Sequence, residues 1–232
     1  MTNRTLARVG LQVPVIWWDL WASPIVDECL KASNWCVLRG NVPVAQLPES
    51  VELMLAVDAD ELLSRRTSII TQRLAEIGRP RCRGVIVENL SPDQLKSGRV
   101  FHRLTQSRDQ GLTQLLILEA EDALAAEWMV EHTPAHVVSV RYTIDDQAIR
   151  YRVIDAARDA EMALIARGDL RLCIGEPAIA AVRCPIPQTP EELWEILSTV
   201  DRPDPAFSET AWKEYQTTHS PPPKLKSAHP PE

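Results

Sequence analysis

The stretch EHTPAHVVSVRYTIDDQAIRYRVIDAARDAEMALIAR, Glu131 to Arg167, decides how this chain folds. His136–Tyr142 is a β-branched run. Tyr151–Ala160 places Val153, Ile154, Ala157 and Ala160 near helical spacing, and Met162–Ala166 is a second short apolar run. Two buried strands joined by a crossover helix make a βαβ unit, whose strands run parallel.

Working outward, the same unit recurs. Strands are expected at Val13–Trp18, Trp35–Leu38, Val51–Val57, Gly84–Val87 and Leu115–Leu118, then at the two runs above, and at Ile179–Arg183. Helices are expected between them at Ile25–Ala32, Glu61–Ile77, Pro92–Arg108 and Ala123–Glu131. Gly78 and Gly111 act as stops and Pro134 lies beyond the last of these helices. Pro190–Thr199 reads as a final helix with proline in its first turn and acids at its dipole-positive end. Eight parallel strands with intervening helices give an α/β fold, a closed (β/α)8 TIM barrel spanning residues 1–216 as one domain. Such barrels usually take about 250 residues. The span Arg167–Pro177 holds barely one short helix, so the barrel is expected to be trimmed or irregular between strands seven and eight. A doubly wound open sheet is the competing architecture, but no GxGxxG turn supports a dinucleotide-binding version of it.

Residues 217–232, TTHSPPPKLKSAHPPE, offer almost no apolar surface against the entropy of ordering and read as a disordered Pro-rich tail. Pro221–Pro223 as a ligand for a proline-binding domain is the sharper alternative. The net charge of −7 provides no footprint for nucleic acid, and no apolar run is long enough to span a membrane. The N-terminus has no secretory apolar core. Cys29, Cys36, Cys82, Cys173 and Cys184 are odd in number and lack CxxC spacing, which suits reduced, buried thiols in a cytoplasmic protein. His102, His132 and His136 have no cysteine at zinc-finger spacing. Trp17 and Trp18 should face opposite sides of the first strand, one into the barrel and one toward the helices. Trp17, Trp18 and Trp21 together could also form a stacking platform.

Five ordered segments resemble the aldo/keto reductase family. They are RLAEIGRPRCRGVIVEN (Arg73–Asn89), SRDQGLTQLLILEAED (Ser107–Asp122), HTPAHVVSVRYTIDDQ (His132–Gln147), VIDAARDAEMALIAR (Val153–Arg167) and IGEPAIAAVRCPIPQTPEELWEIL (Ile174–Leu197). The resemblance implies a cytosolic barrel that reduces carbonyls with NADPH, using an Asp, Tyr, Lys and His tetrad on early strand ends. This sequence lacks the tetrad. No tyrosine precedes Tyr142, no histidine precedes His102, and Lys31 is the only lysine before Lys96. The family's aspartate, lysine and histidine positions carry Arg39-Gly40, Asp58-Ala59-Asp60 and Glu88-Asn89. The carboxamide-gripping Ser-Asn corresponds to Ala120-Glu121 and the strand-six Gln to Ser139. The basic phosphate-binding run corresponds to Pro185–Thr189, which has no basic residue. Gln188 and Thr189 with the following helix N-terminus remain as weak anion-binding candidates.

The expected mouth holds Asp19, Arg39, Asp58, Asp60, Glu88, Asn89, Glu119, Glu121, Asp122, Arg141, Asp145, Asp146 and Arg167. Acids dominate and would repel a phosphorylated dinucleotide. They could bind a divalent cation, pair with Arg39, Arg141 and Arg167, or simply face solvent. The resulting expectation is an aldo/keto-reductase-like pseudoenzyme that has lost NADPH-dependent carbonyl reduction and serves as a binding or scaffold protein. Its partner would be a protein or a small molecule, neither nucleic acid nor membrane. Two alternatives stay open. One is a residual NADP-dependent oxidoreductase built on Tyr142 with Arg141. The other is a divalent-metal-dependent enzyme using Glu88 and Glu119. No metal site is assigned, and no cofactor is expected unless the family activity, and NADP with it, survives.

Overall fold

The computed structural model describes residues 3–20, 24–39, 47–64 and 68–218. Eight parallel strands close into a barrel: β3 (Ile16–Leu20), β4 (Trp35–Arg39), β5 (Glu52–Asp58), β6 (Gly84–Glu88), β7 (Leu115–Glu119), β8 (Val137–Tyr142), β9 (Ala163–Gly168) and β10 (Ile179–Pro185). Strand β10 pairs with both β9 and β3, so no barrel edge is left open. The helices between strands are α1 (Val26–Ala32), α2 (Ala59–Ser64), α3 (Ile69–Glu76), α4 (Pro92–Lys96), α5 (Arg99–Asp109), α6 (Ala123–His132), α7 (Ala148–Arg152), α8 (Ile154–Asp159) and α9 (Leu170–Gly175). Helices α10 (Pro190–Asp201) and α11 (Pro205–Thr218) end the described chain.

Alternation along each strand sorts side chains between two cores. Trp17, Trp35, Val37, Met54, Ile86, Ile117, Val137 and Ile165 fill the barrel interior. Trp17 and Trp35 pack with ring centroids 5.0 Å apart. Trp18 faces outward, where its indole N–H donates to the Cys29 carbonyl at 2.9 Å. All five cysteines are free and buried, and burial pushes the Cys36 and Cys184 thiols up to about 12.

The first strand read from the sequence divides in two. Leu11–Pro14 is β2, the second arm of an antiparallel hairpin with β1 (Asn3–Leu6), and the barrel strand begins only at Ile16. Proline at position 14 has no N–H for a continuing ladder, and the chain bends at Val15. The hairpin covers the lower end of the barrel: Leu6 and Val13 join the interior cluster. Two arginines clamp it there. Arg4 donates to the carbonyls of Ile174 (2.6 Å), Glu176 (3.0 Å) and Ile179, and Arg8 donates to the carbonyl of Ala135 (2.6 Å).

Other departures from the sequence reading have local causes. The single helix expected at Pro92–Arg108 breaks at Gly98, whose φ of +68° lies in the left-handed region. The expected Glu61–Ile77 helix is two helices, α2 and α3, the second capped by Ser68, whose side chain accepts from the Thr71 N–H. The Tyr151–Ala160 helix divides at Val153. The β9–β10 crossover is only the six-residue α9, and the β9–β10 register shifts between Ile179 and Ala181. The expected tail overlaps α11, which contains Thr217 and Thr218. Trp21, Gly40 and Pro221–Pro223 lie outside the described residues. No helix among the described residues is long and apolar enough to cross a membrane.

Gly168 closes β9 with φ +141°, and a Cβ there would lie 2.0 Å from the Tyr142 carbonyl oxygen. Gly168→Ala is therefore expected to lower unfolding free energy by at least about 2 kcal/mol in urea titration, with the far-ultraviolet spectrum retained.

Candidate functional site

The inward-facing ends of the barrel strands carry the charges. Alternation from Trp17 and Trp35 brings Asp19 and Arg39 to the interior face, and alternation from Ile86, Ile117 and Ile165 brings Glu88, Glu119 and Arg167 there. The residue at the centre is Arg183 of β10, whose side chain is 0% exposed. Its Nε donates to Asp19 Oδ1 at 3.1 Å, its Nη1 to Glu119 Oε2 at 2.6 Å and its Nη2 to Glu88 Oε1 at 3.3 Å. Two outer arginines complete the network. Arg39 Nη2 lies 2.7 Å from Glu88 Oε1 and 3.8 Å from Glu119 Oε2, and Arg167 Nη2 donates to Glu119 Oε1 at 2.6 Å.

Three guanidiniums thus meet three carboxylates across six strands. Burial alone would lower the Arg183 pKa, but Asp19, Glu119 and Glu88 outweigh it and hold it above its ordinary value. Glu88 moves the other way for a carboxylate. Burial first, and then the neighbouring Glu119, raise its pKa more than Arg183 and Arg39 lower it. Both oxygens of Glu119 are engaged by arginines, which leaves it poorly suited to exchange a proton with a substrate.

The sequence placed Asp19, Arg39, Glu88, Glu119 and Arg167 at the mouth, and the structure brings them into contact. It missed Arg183, the residue that joins them. Its one local cue is that Ala181 and Arg183 stand two residues apart on the interior face of β10. The expected pairing of Arg141 is not observed, since Arg141 is exposed and has no carboxylate partner among the described residues. The expected acidic dominance also fails at the strand ends, where arginines balance the carboxylates. Several of the remaining acids serve as local caps. Asp122 accepts from the Ala125 N–H at the start of α6, Asp58 from the Asp60 N–H and from Asn89 Nδ2, and Asp146 from the Ala148 N–H.

The weaker candidates are placed as follows. Tyr142 is wholly buried in the core between sheet and helices, away from the mouth. Gln188 and Thr189 form the start of α10: the Gln188 N–H donates to Glu192 Oε2 at 2.7 Å, and the Thr189 hydroxyl accepts from the Glu192 N–H. The Glu192 carboxylate therefore already occupies the Gln188 N–H, Pro185–Thr189 holds no basic side chain, and the residues present do not fit the phosphates of a dinucleotide. Among the described residues, no group of three or more His, Cys, Asp and Glu is arranged to hold a metal ion.

No protein-family model and no curated protein matches the sequence. Solved structures do. An aldo-keto reductase from Bacillus halodurans superposes with a TM-score of 0.74 at 10% identity, over 93% of this chain and 96% of that one. A thermostable aldo-keto reductase solved with the inhibitor epalrestat gives 0.70 at 13% identity, over 94% of this chain and 100% of that one. The chain thus has the (β/α)8 fold of aldo/keto reductases.

Two measurements probe the network. Arg183→Met leaves three carboxylates beneath the mouth without their central cation and is expected to cost about 3–5 kcal/mol in urea titration. The raised Glu88 pKa gives a pH signature. Above its ordinary value of 4.5 and up to its folded value, the folded state binds more protons than the unfolded one, so stability falls as pH rises through that window. Glu88→Gln should lack that decline, which paired urea midpoints between about pH 4.5 and 7 would reveal.

Proposed function

We propose that this barrel does not reduce carbonyls and works as a binding or scaffold protein in the cytoplasm. One observation carries the reading. At the strand ends, where (β/α)8 enzymes assemble their chemistry, the Arg183 guanidinium is buried and saturated by Asp19, Glu88 and Glu119. Carbonyl reduction needs a proton donor beside the oxygen as hydride arrives at carbon. Glu88 and Glu119 are committed to arginines, and Tyr142 faces the helix layer. The occupied α10 start supports the same reading from the cofactor side. Buried free cysteines favour a reducing compartment.

Titration with NADPH, followed by nucleotide fluorescence and by absorbance loss with a panel of aldehydes and ketones, tests this directly. No saturable nucleotide binding and no carbonyl-dependent oxidation are expected. Tight binding accompanied by turnover would overturn the proposal.

A further inference from the structure

We propose that the mouth of this barrel binds a small oxyanion, a phosphate or carboxylate group, on Arg141 and Arg167. The inference rests on the binding-protein reading above and names the ligand class for that site. Arg141 and Arg167 are direct partners in the parallel register of β8 and β9, so their side chains leave adjacent strands on the same face. Arg167 has one carboxylate, Glu119, and that carboxylate is already divided among Arg39, Arg167 and Arg183. Arg141 has none among the described residues, and it is exposed. Asp19, Glu88 and Glu119 are taken up by Arg39, Arg167 and Arg183, so among the described residues no carboxylate is left in contact with Arg141 on the β8–β9 side. Asp58, the other inward carboxylate, is turned to Asn89 and the Asp60 N–H.

A second observation lies directly below the pair. Ser139 stands two residues before Arg141 on the same face of β8 and is 0% exposed, yet its hydroxyl has no hydrogen-bond partner. Buried hydroxyls are almost always satisfied, so an orphan beneath two like charges marks a place where an acceptor is missing. An oxyanion supplies one: it takes a forked pair of N–H bonds from arginine and gives Arg141 the anionic partner it lacks. The Arg39 side chain, 26% exposed with an unpartnered Nε, borders the network from the other side.

The test titrates inorganic phosphate and malonate separately, at constant ionic strength, into the full-length protein, with calorimetry and arginine Nε NMR. Arg141→Gln and Arg158→Gln are run in parallel. Arg158 is an exposed arginine paired with Asp155, beside Arg4 and away from the mouth. Saturable binding that weakens about tenfold or more in Arg141→Gln and is unchanged in Arg158→Gln is the expected result. Response to phosphate alone assigns a phosphoryl ligand, and response to malonate alone assigns a carboxylate. Absence of saturable binding, binding indifferent to Arg141→Gln, or equal loss in both variants overturns the inference. NADPH-dependent reduction would remove the parent reading and this one with it. A protein inert to NADPH and to both anions loses this inference alone.

Discussion

A guanidinium without access to water holds the upper half of this molecule in register. Arg183 reaches Asp19 on β3, Glu88 on β6 and Glu119 on β7 from its own strand β10. Taking an arginine and its partners out of water costs several kcal/mol per ion, and only short, well-directed contacts offset that. The 2.6 Å bond to Glu119 and the outer contacts of Arg39 and Arg167 meet that condition. The apolar layer below, from Trp17 to Ile165, is held by close packing, whereas the charged layer is held by directed contacts among its six groups. Strand-end geometry is therefore set by electrostatics and strand packing by shape.

The same layer explains why an ordinary (β/α)8 frame and this charged mouth coexist. Barrel closure asks only for alternating apolar residues and parallel register, and these are present from β3 to β10. Chemistry asks for particular groups at particular strand ends, where substitution leaves the core untouched. Fold likeness at 10% to 13% identity speaks for the first requirement and is silent on the second.

Most of the barrel was legible because its strands are short apolar runs bounded by helices with clear caps. The βαβ pattern around β8 and β9 fixed parallel pairing, and the scarcity of residues between Arg167 and Pro177 correctly marked the irregular crossover. Three features were not legible. The hairpin merged with β3 because Val13 to Trp18 reads as one extended run, and only Pro14 hints at the interruption. Gly98 splits α4 from α5 within a pattern whose periodicity carries on across it. Arg183 was hidden because a single arginine inside an apolar strand looks like a strand end, and its carboxylates come from residues 64 to 164 positions away. Pairings that distant follow from barrel closure and not from any local pattern.

The clamp made by Arg4 has a temporal side. During synthesis this arginine precedes the carbonyls of Ile174, Glu176 and Ile179 that it fastens by 170 to 175 residues. Arg4 cannot make these bonds until the segment that carries Ile174 to Ile179 has emerged. Closing the base is thus a contact of very long sequence separation, of the kind that forms slowly and late.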